Sequence, residues 1–142
     1  MFATFSSSMT RVTVGILQQN GKILVCQRKI GTRYELKWEF PGGKVEPNES
    51  IENCLMRELQ EELSLNVGSV GRVEIQTADY DDGSMYEVHY CFLTDFEGEP
   101  RNNVFEQIRW VSPHELTKLD NLEGNKAIVA QIAGAHEAGI SP

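Results

Sequence analysis

Apolar and polar positions alternate in "RVTVGILQ" (11–18), and several are β-branched, which predicts a strand. "QNGK" (19–22) carries Asn20-Gly21, a pair that accepts positive φ, so a hairpin turn follows. "ILVCQR" (23–28) is the returning strand and residues 29–37 read as a loop. "WEF" (38–40) is a short extended piece stopped by Pro41-Gly42-Gly43, a loop marker. The period then changes. Leu55, Leu59 and Leu63 recur every fourth residue and predict a helix over 50–63 with one apolar stripe. Ser50 is a suitable N-cap, and Glu52 sits where the helix dipole favours an acid. Past Gly68, segments around 70–78 and 85–94 read as strands joined by the acidic turn "DYDDGS". "EQIRWV" (106–111) is a further strand, and "SPHEL" (112–116) a helical turn with Pro113 at its first position. Residues 124–138 read as a C-terminal helix. Five or six strands with two helices predict a mixed α/β layered domain spanning 10–142, behind a poorly ordered leader over 1–9 in which Met9 could be the start.

Composition narrows the function classes. The chain has 142 residues, enough for one domain with a real core. A net charge of −8 argues against a nucleic acid polymer or a membrane surface as partner, since both call for a basic field. It leaves room for a small anion, because Arg28, Lys29, Arg33, Lys37 and Lys44 gather five of the 13 Lys and Arg. No apolar run is long enough to span a bilayer. Cys26, Cys54 and Cys91 have neither zinc nor redox spacing and read as reduced, buried thiols. With no secretion signal, a cytoplasmic location is expected. Trp38 and Trp110 read as packing residues, and His89, His114 and His136 lack metal-ligand spacing.

One helix carries too many acids. At about 3.6 residues per turn, Glu61 and Glu62 point to the same side as Glu58, next to the leucine stripe. Like charges at i,i+4 oppose a helix by roughly 0.2–0.5 kcal/mol per pair, and the last turns favour cations. Arg57 can offset part of this through Glu61 but cannot neutralise three carboxylates. A hard divalent cation, Mg²⁺ or Mn²⁺, is the natural compensation. A solvated acidic face is the alternative for the helix taken alone. The flanks favour the cation: Gly42-Gly43 allows close backbone approach, and Lys44 follows at once.

The segment resembles the Nudix box, G-x5-E-x7-R-E-U-x-E-E-x-G-U with U aliphatic. Gly43, Glu49, Arg57, Glu58, Leu59, Glu61, Glu62 and Leu65 fall on its positions, and Ser64 replaces the last glycine. "WEFPGGK" before it resembles the MutT-type branch, which hydrolyses nucleoside triphosphates. The resemblance implies an α/β/α sandwich around a mixed β-sheet. It also implies attack of water on a diphosphate bond, releasing a nucleoside monophosphate and pyrophosphate. By position, Glu58, Glu61 and Glu62 would hold the metal with the Gly42 carbonyl, Lys44 would neutralise phosphate oxygen, and Glu49 with Arg57 would hold the loop–helix joint. Glu106, four residues before Trp110, matches a further acid that is ligand or base in such enzymes. Glu58, Glu61 and Glu106 are the candidate general bases, with Glu58 ranked first.

Base recognition rests on fewer residues. Arg28, eleven residues before Glu39, has the spacing of an arginine near the nucleotide in MutT-type proteins; a solvated arginine at a strand end is the competing reading. Asn125 resembles the base-reading asparagine of 8-oxo-dGTP hydrolases, against a simple N-cap of the last helix. Phe40 would pack beside the base or belong to the core. The expected substrate is 8-oxo-dGTP. CTP or a modified dCTP is the alternative, with loops 29–37 and 79–84 deciding. A catalytically inert Nudix nucleotide-binding module would be signalled by a lost box acid, and none is lost. Oligomeric state is left open.

Overall fold

The computed structural model describes residues 9–140. The alternating segment forms β1 (Met9–Gln19), and the Asn20-Gly21 turn returns the chain into β2 (Lys22–Gln27). Both turn residues have positive φ, 53° and 75°, as the hairpin requires. Next come β3 (Trp38–Glu39), β4 (Gly42–Lys44), α1 (Ile51–Leu63), β5 (Asn66–Ser69), β6 (Val73–Asp79), β7 (Met85–Leu93), β8 (Asp95–Glu97) and β9 (Gln107–Val111). The chain closes with α2 (Pro113–Leu116), a short 3₁₀ turn (Glu123–Asn125) and α3 (Lys126–Glu137). The leader expected over 1–9 lies outside the described residues except for Met9, which opens β1.

The main sheet is mixed. It runs β3-β2-β1-β7-β6, with β4 also on β1 and β9 also on β2. β1 and β7 are parallel, and the other pairings are antiparallel. Period-2 alternation splits the apolar side chains between two cores. Val14, Ile16, Val88, Tyr90 and Phe92 face one side, where Ile128, Val129 and Ile132 of α3 cover them. Leu17, Cys91 and Leu93 face the other, beneath Leu55, Leu59 and Leu63 of α1. The result is a sheet between two helical layers. Each of the three α1 leucines is fully buried, stabilising by about 1.5–3 kcal/mol apiece.

Three features differ from the sequence expectation. The strand expected around 70–78 is β6, which starts at Val73; a strand not expected, β5, precedes it over 66–69 and pairs with β8 outside the main sheet. β8 itself carries no alternation that could announce it, being three residues long. The Gly42-Gly43 segment read as loop is the strand β4, antiparallel to β1, with Gly42 opposite Val14 and Gly43 opposite Thr13. Gly42 fits because it lacks a Cβ, which would lie 2.1 Å from the Thr13 carbonyl oxygen.

α1 starts at the expected cap: Ser50 Oγ accepts from the Asn53 amide at 3.0 Å. It ends at Ser64, which is left-handed at φ 57°, ψ 35°. That conformation costs a non-glycine residue about 1–2 kcal/mol. A hydrogen bond from Asn103 Nδ2 to Ser64 Oγ at 3.0 Å offsets part of it. Ser64→Gly is expected to raise stability by roughly 0.5–1 kcal/mol. A urea melt reads this directly, and an unchanged or lowered midpoint refutes it.

Candidate active site

The strand β4 and the helix α1 bring the box residues together. Gly43 packs so closely on Glu58 that a Cβ there would sit 2.4 Å from the Glu58 carboxyl carbon. Gly42 N donates to Glu62 Oε1 at 3.0 Å. Two carboxylates one helical turn apart thus meet the glycine strand. Burial is the first cause that raises the Glu58 pKa, opposed by Arg57. Burial, reinforced by the Glu58 charge, pushes the Glu62 carboxyl up to about 8.

Arg57 organises the outer side. Its Nε and Nη2 donate to the two Glu49 carboxylate oxygens at 2.7 and 2.9 Å, a bidentate pair. Its Nη1 donates to Glu58 at 2.8 Å and lies 3.6 Å from Glu61. Its Nη2 also donates to the Lys44 carbonyl at 3.3 Å. The Arg57 hydrogen bonds and the Glu46 amide hold the Glu49 carboxyl down at about 2. Cys54 lies beneath the same loop, its Sγ 3.4 Å from the Lys44 carbonyl. All three cysteines are free and buried.

The remaining acids are less gathered. Glu61 is 59% exposed. Glu106 accepts from the Ile30 amide at 3.3 Å, and its loop meets the end of α1 where the Asn103 amide bonds the Glu62 carbonyl. Among the described residues, no three His, Cys, Asp or Glu side chains are already closed around one point. Arg57 pairs with Glu58 and lies near Glu61, while the Gly42 amide donates to Glu62. The donor set still suits a hard cation, being all oxygen and acidic, beside backbone with no Cβ to block approach.

A cleft of about 390 Å³ opens beside these groups. Its walls include Glu62, Gly43, Lys44, Arg28, Phe40 and Asn125. Arg28 is held at 3.2 Å from Glu39, and Arg33 pairs with Asp82. Lys44 makes no ion pair among the described residues and so remains available to an anion. Phe40 is 4% exposed, in the core and in the cleft wall at once. Asn125 precedes α3 but makes no side-chain cap; its Oδ1 accepts from the Tyr90 hydroxyl at 2.7 Å. His89 is a buried side chain bonded to Glu87 at 2.8 Å, and Trp38 packs in the core.

Sequence reasoning missed the aromatic wall. Tyr34 and Tyr80 approach at 5.5 Å between ring centres, and Tyr80 and Tyr86 at 5.5 Å edge-on. The Tyr80 hydroxyl accepts from the Gly124 amide at 3.2 Å. Loops 29–37 and 79–84 are the expected selectors of the base, but nothing in local pattern says that their tyrosines meet.

A family model described as NUDIX domain matches residues 9–132. The chain belongs to the NUDIX family. A CTP pyrophosphohydrolase from Escherichia coli (strain K12) is 36% identical over 107 residues, 75% of this chain and 78% of that protein. An 8-oxo-dGTP diphosphatase from the same organism is 28% identical over 123 residues, 86% and 95% of the two chains. The solution structure of the E. coli ORF135 protein superposes with a TM-score of 0.83 at 29% identity, covering 96% of this chain and 97% of that one. This Nudix member therefore has the mixed-sheet fold that its box implied, and it is a hydrolase. No helix among the described residues is long and apolar enough to cross a membrane.

Proposed function

We propose that this Nudix hydrolase, a nucleoside triphosphate pyrophosphohydrolase, takes 8-oxo-dGTP as its favoured substrate and releases the monophosphate and pyrophosphate with the help of Mg²⁺ or Mn²⁺. The observation that carries the reading is a single cleft whose walls include both the Gly43–Glu62 acid site and Asn125. Glu58 and Glu62, with Glu61, Glu106 and the Gly42 carbonyl, are the oxygen donors that would hold the cation. When bound, it withdraws charge from phosphate and acidifies water. Lys44 neutralises phosphate oxygen. Glu58 takes the proton of the attacking water, ahead of Glu61 and Glu106; such a base contributes about 10²–10⁴-fold. Glu49 and Arg57 keep the loop and helix joined. Asn125 and Phe40 meet the base, and Arg28, steadied by Glu39, lies beside the nucleotide.

A second reading, hydrolysis of CTP or a modified dCTP, is favoured by the 36% identity to the E. coli protein of that name. The deciding experiment is pyrophosphate release from 8-oxo-dGTP, dGTP, CTP and ADP-ribose, each with and without Mg²⁺. We expect release only with Mg²⁺, with the highest kcat/KM for 8-oxo-dGTP and least activity on ADP-ribose. A maximum on CTP selects the second reading. Silence on every triphosphate overturns both.

A further inference from the structure

Asn125 is held by a residue outside the cleft, and that hold has a direction. Tyr90 lies on β7, is fully buried, and is packed in the core under α3. Its phenol oxygen is 2.7 Å from Asn125 Oδ1 and 3.1 Å from the Gly124 carbonyl oxygen. A hydroxyl has one hydrogen to give. Bonds of the O–H···O kind centre on about 2.7–2.8 Å, whereas N–H···O bonds centre on about 2.9–3.0 Å. The short contact is therefore the hydroxyl donating to Oδ1. Burial raises the Tyr90 phenol well above its ordinary range, so it keeps that proton.

The other end of the amide follows by elimination. Asn125 Nδ2 has no hydrogen-bond partner among the described residues. Among the described residues no buried side-chain nitrogen or oxygen lacks a partner, so Nδ2 is accessible, and the space beside Asn125 is the cleft. An unrestrained amide can turn over and offer a base either a donor or an acceptor. This one is restrained.

We propose that the Tyr90 hydroxyl is a specificity-determining positioning group: it fixes the polarity of the Asn125 amide, so that the cleft offers a donor and selects a purine bearing a carbonyl over one bearing an amine. The inference rests on the reading of Asn125 as a base contact. A guanine-type edge presents O6 as an acceptor to Nδ2, whereas an adenine-type edge presents an amine and sets donor against donor. The second arrangement leaves polar groups unpaired inside the site, which is how a hydrogen-bonding pocket rejects the wrong partner.

The test measures kcat/KM for 8-oxo-dGTP and 8-oxo-dATP in four proteins. The parent favours 8-oxo-dGTP, and Asn125→Ala flattens that ratio. Tyr90→Phe lets the amide turn and lowers the ratio by about tenfold, the lower end of what one base contact discriminates. In Asn125→Asp, Tyr90 still donates to one carboxylate oxygen and the other faces the cleft as an acceptor, so the preference moves toward 8-oxo-dATP. Equal loss on both purines in Tyr90→Phe, with the ratio unmoved, overturns the proposal and leaves Tyr90 a packing residue. An unchanged ratio in Asn125→Ala overturns the reading of Asn125 beneath it. Turnover of CTP with neither purine cleaved removes the 8-oxo-dGTP reading and this inference together.

Discussion

Glu62→Gln is expected to cut turnover on the order of 10²-fold or more and to make the cation-free protein more stable. The two effects have one source. Glu62 is buried beside Glu58, and its carboxyl is pushed up to about 8. A carboxyl whose folded pKa is raised weakens the fold once the pH exceeds its ordinary value of about 4.3, because the unfolded chain loses that proton more easily. The penalty grows through the window between that value and about 8. An amide has no proton to lose and removes the repulsion from Glu58, so the melting temperature at pH 8 should rise. The amide is also a neutral, weaker ligand, so loss of charge at the cation costs on the order of 10²-fold or more in kcat. Melting without divalent cation and steady-state assays at saturating Mg²⁺ give the two readouts. Activity near that of the parent removes the metal-site reading. A lowered melting temperature would mean that Glu62 is held for the fold.

The second large effect separates two adjacent glycines. Alanine at Gly43 would place a Cβ 2.4 Å from the Glu58 carboxyl carbon and 2.5 and 2.6 Å from its oxygens. A side chain can move, so the fold survives. Glu58 must swing away, however, and its 2.8 Å bond to Arg57 is broken. With Glu58 as the base proposed above, Gly43→Ala should therefore lose on the order of 10²-fold in kcat. Alanine at Gly42 meets backbone instead, 2.1 Å from the Thr13 oxygen and 2.8 Å from the Val14 Cα. A strand cannot step aside without parting β4 from β1. Gly42→Ala should cost about 3 kcal/mol of stability, the upper end for overpacking. Denaturant midpoints and kcat/KM measured together check the contrast. Parent-like activity in Gly43→Ala, or equal stability in the two variants, refutes it.

Much of the candidate site's arrangement could be read from local pattern because its residues lie on one helix and the loop before it. The four-residue leucine spacing sets which face of α1 is buried, and that leaves Glu58 and Glu62 turned toward β4. The Glu49–Arg57 joint is eight residues apart and still local, closing across one loop. Other features are long-range. β8 is too short to show a period, and β5 needs it as a partner. The β4 pairing depends on Thr13 and Val14, far back in the chain, leaving room for a glycine and nothing larger.

What the sequence determined by itself is the β1–β2 hairpin, the strands β6, β7 and β9, the two longer helices and the acidic face of α1 with its basic, glycine-bearing approach. These follow from periodicity and from charges that conflict within a few residues of one another. Tertiary structure alone decided that Tyr34, Tyr80 and Tyr86 form one wall, that Asn125 faces the cleft instead of capping α3, and that Tyr90 holds its amide. Those side chains come from separate loops, strands and a helix entry. Neither their spacing nor their type says which will meet, because the meeting is set by how β7 and α3 pack across a shared core.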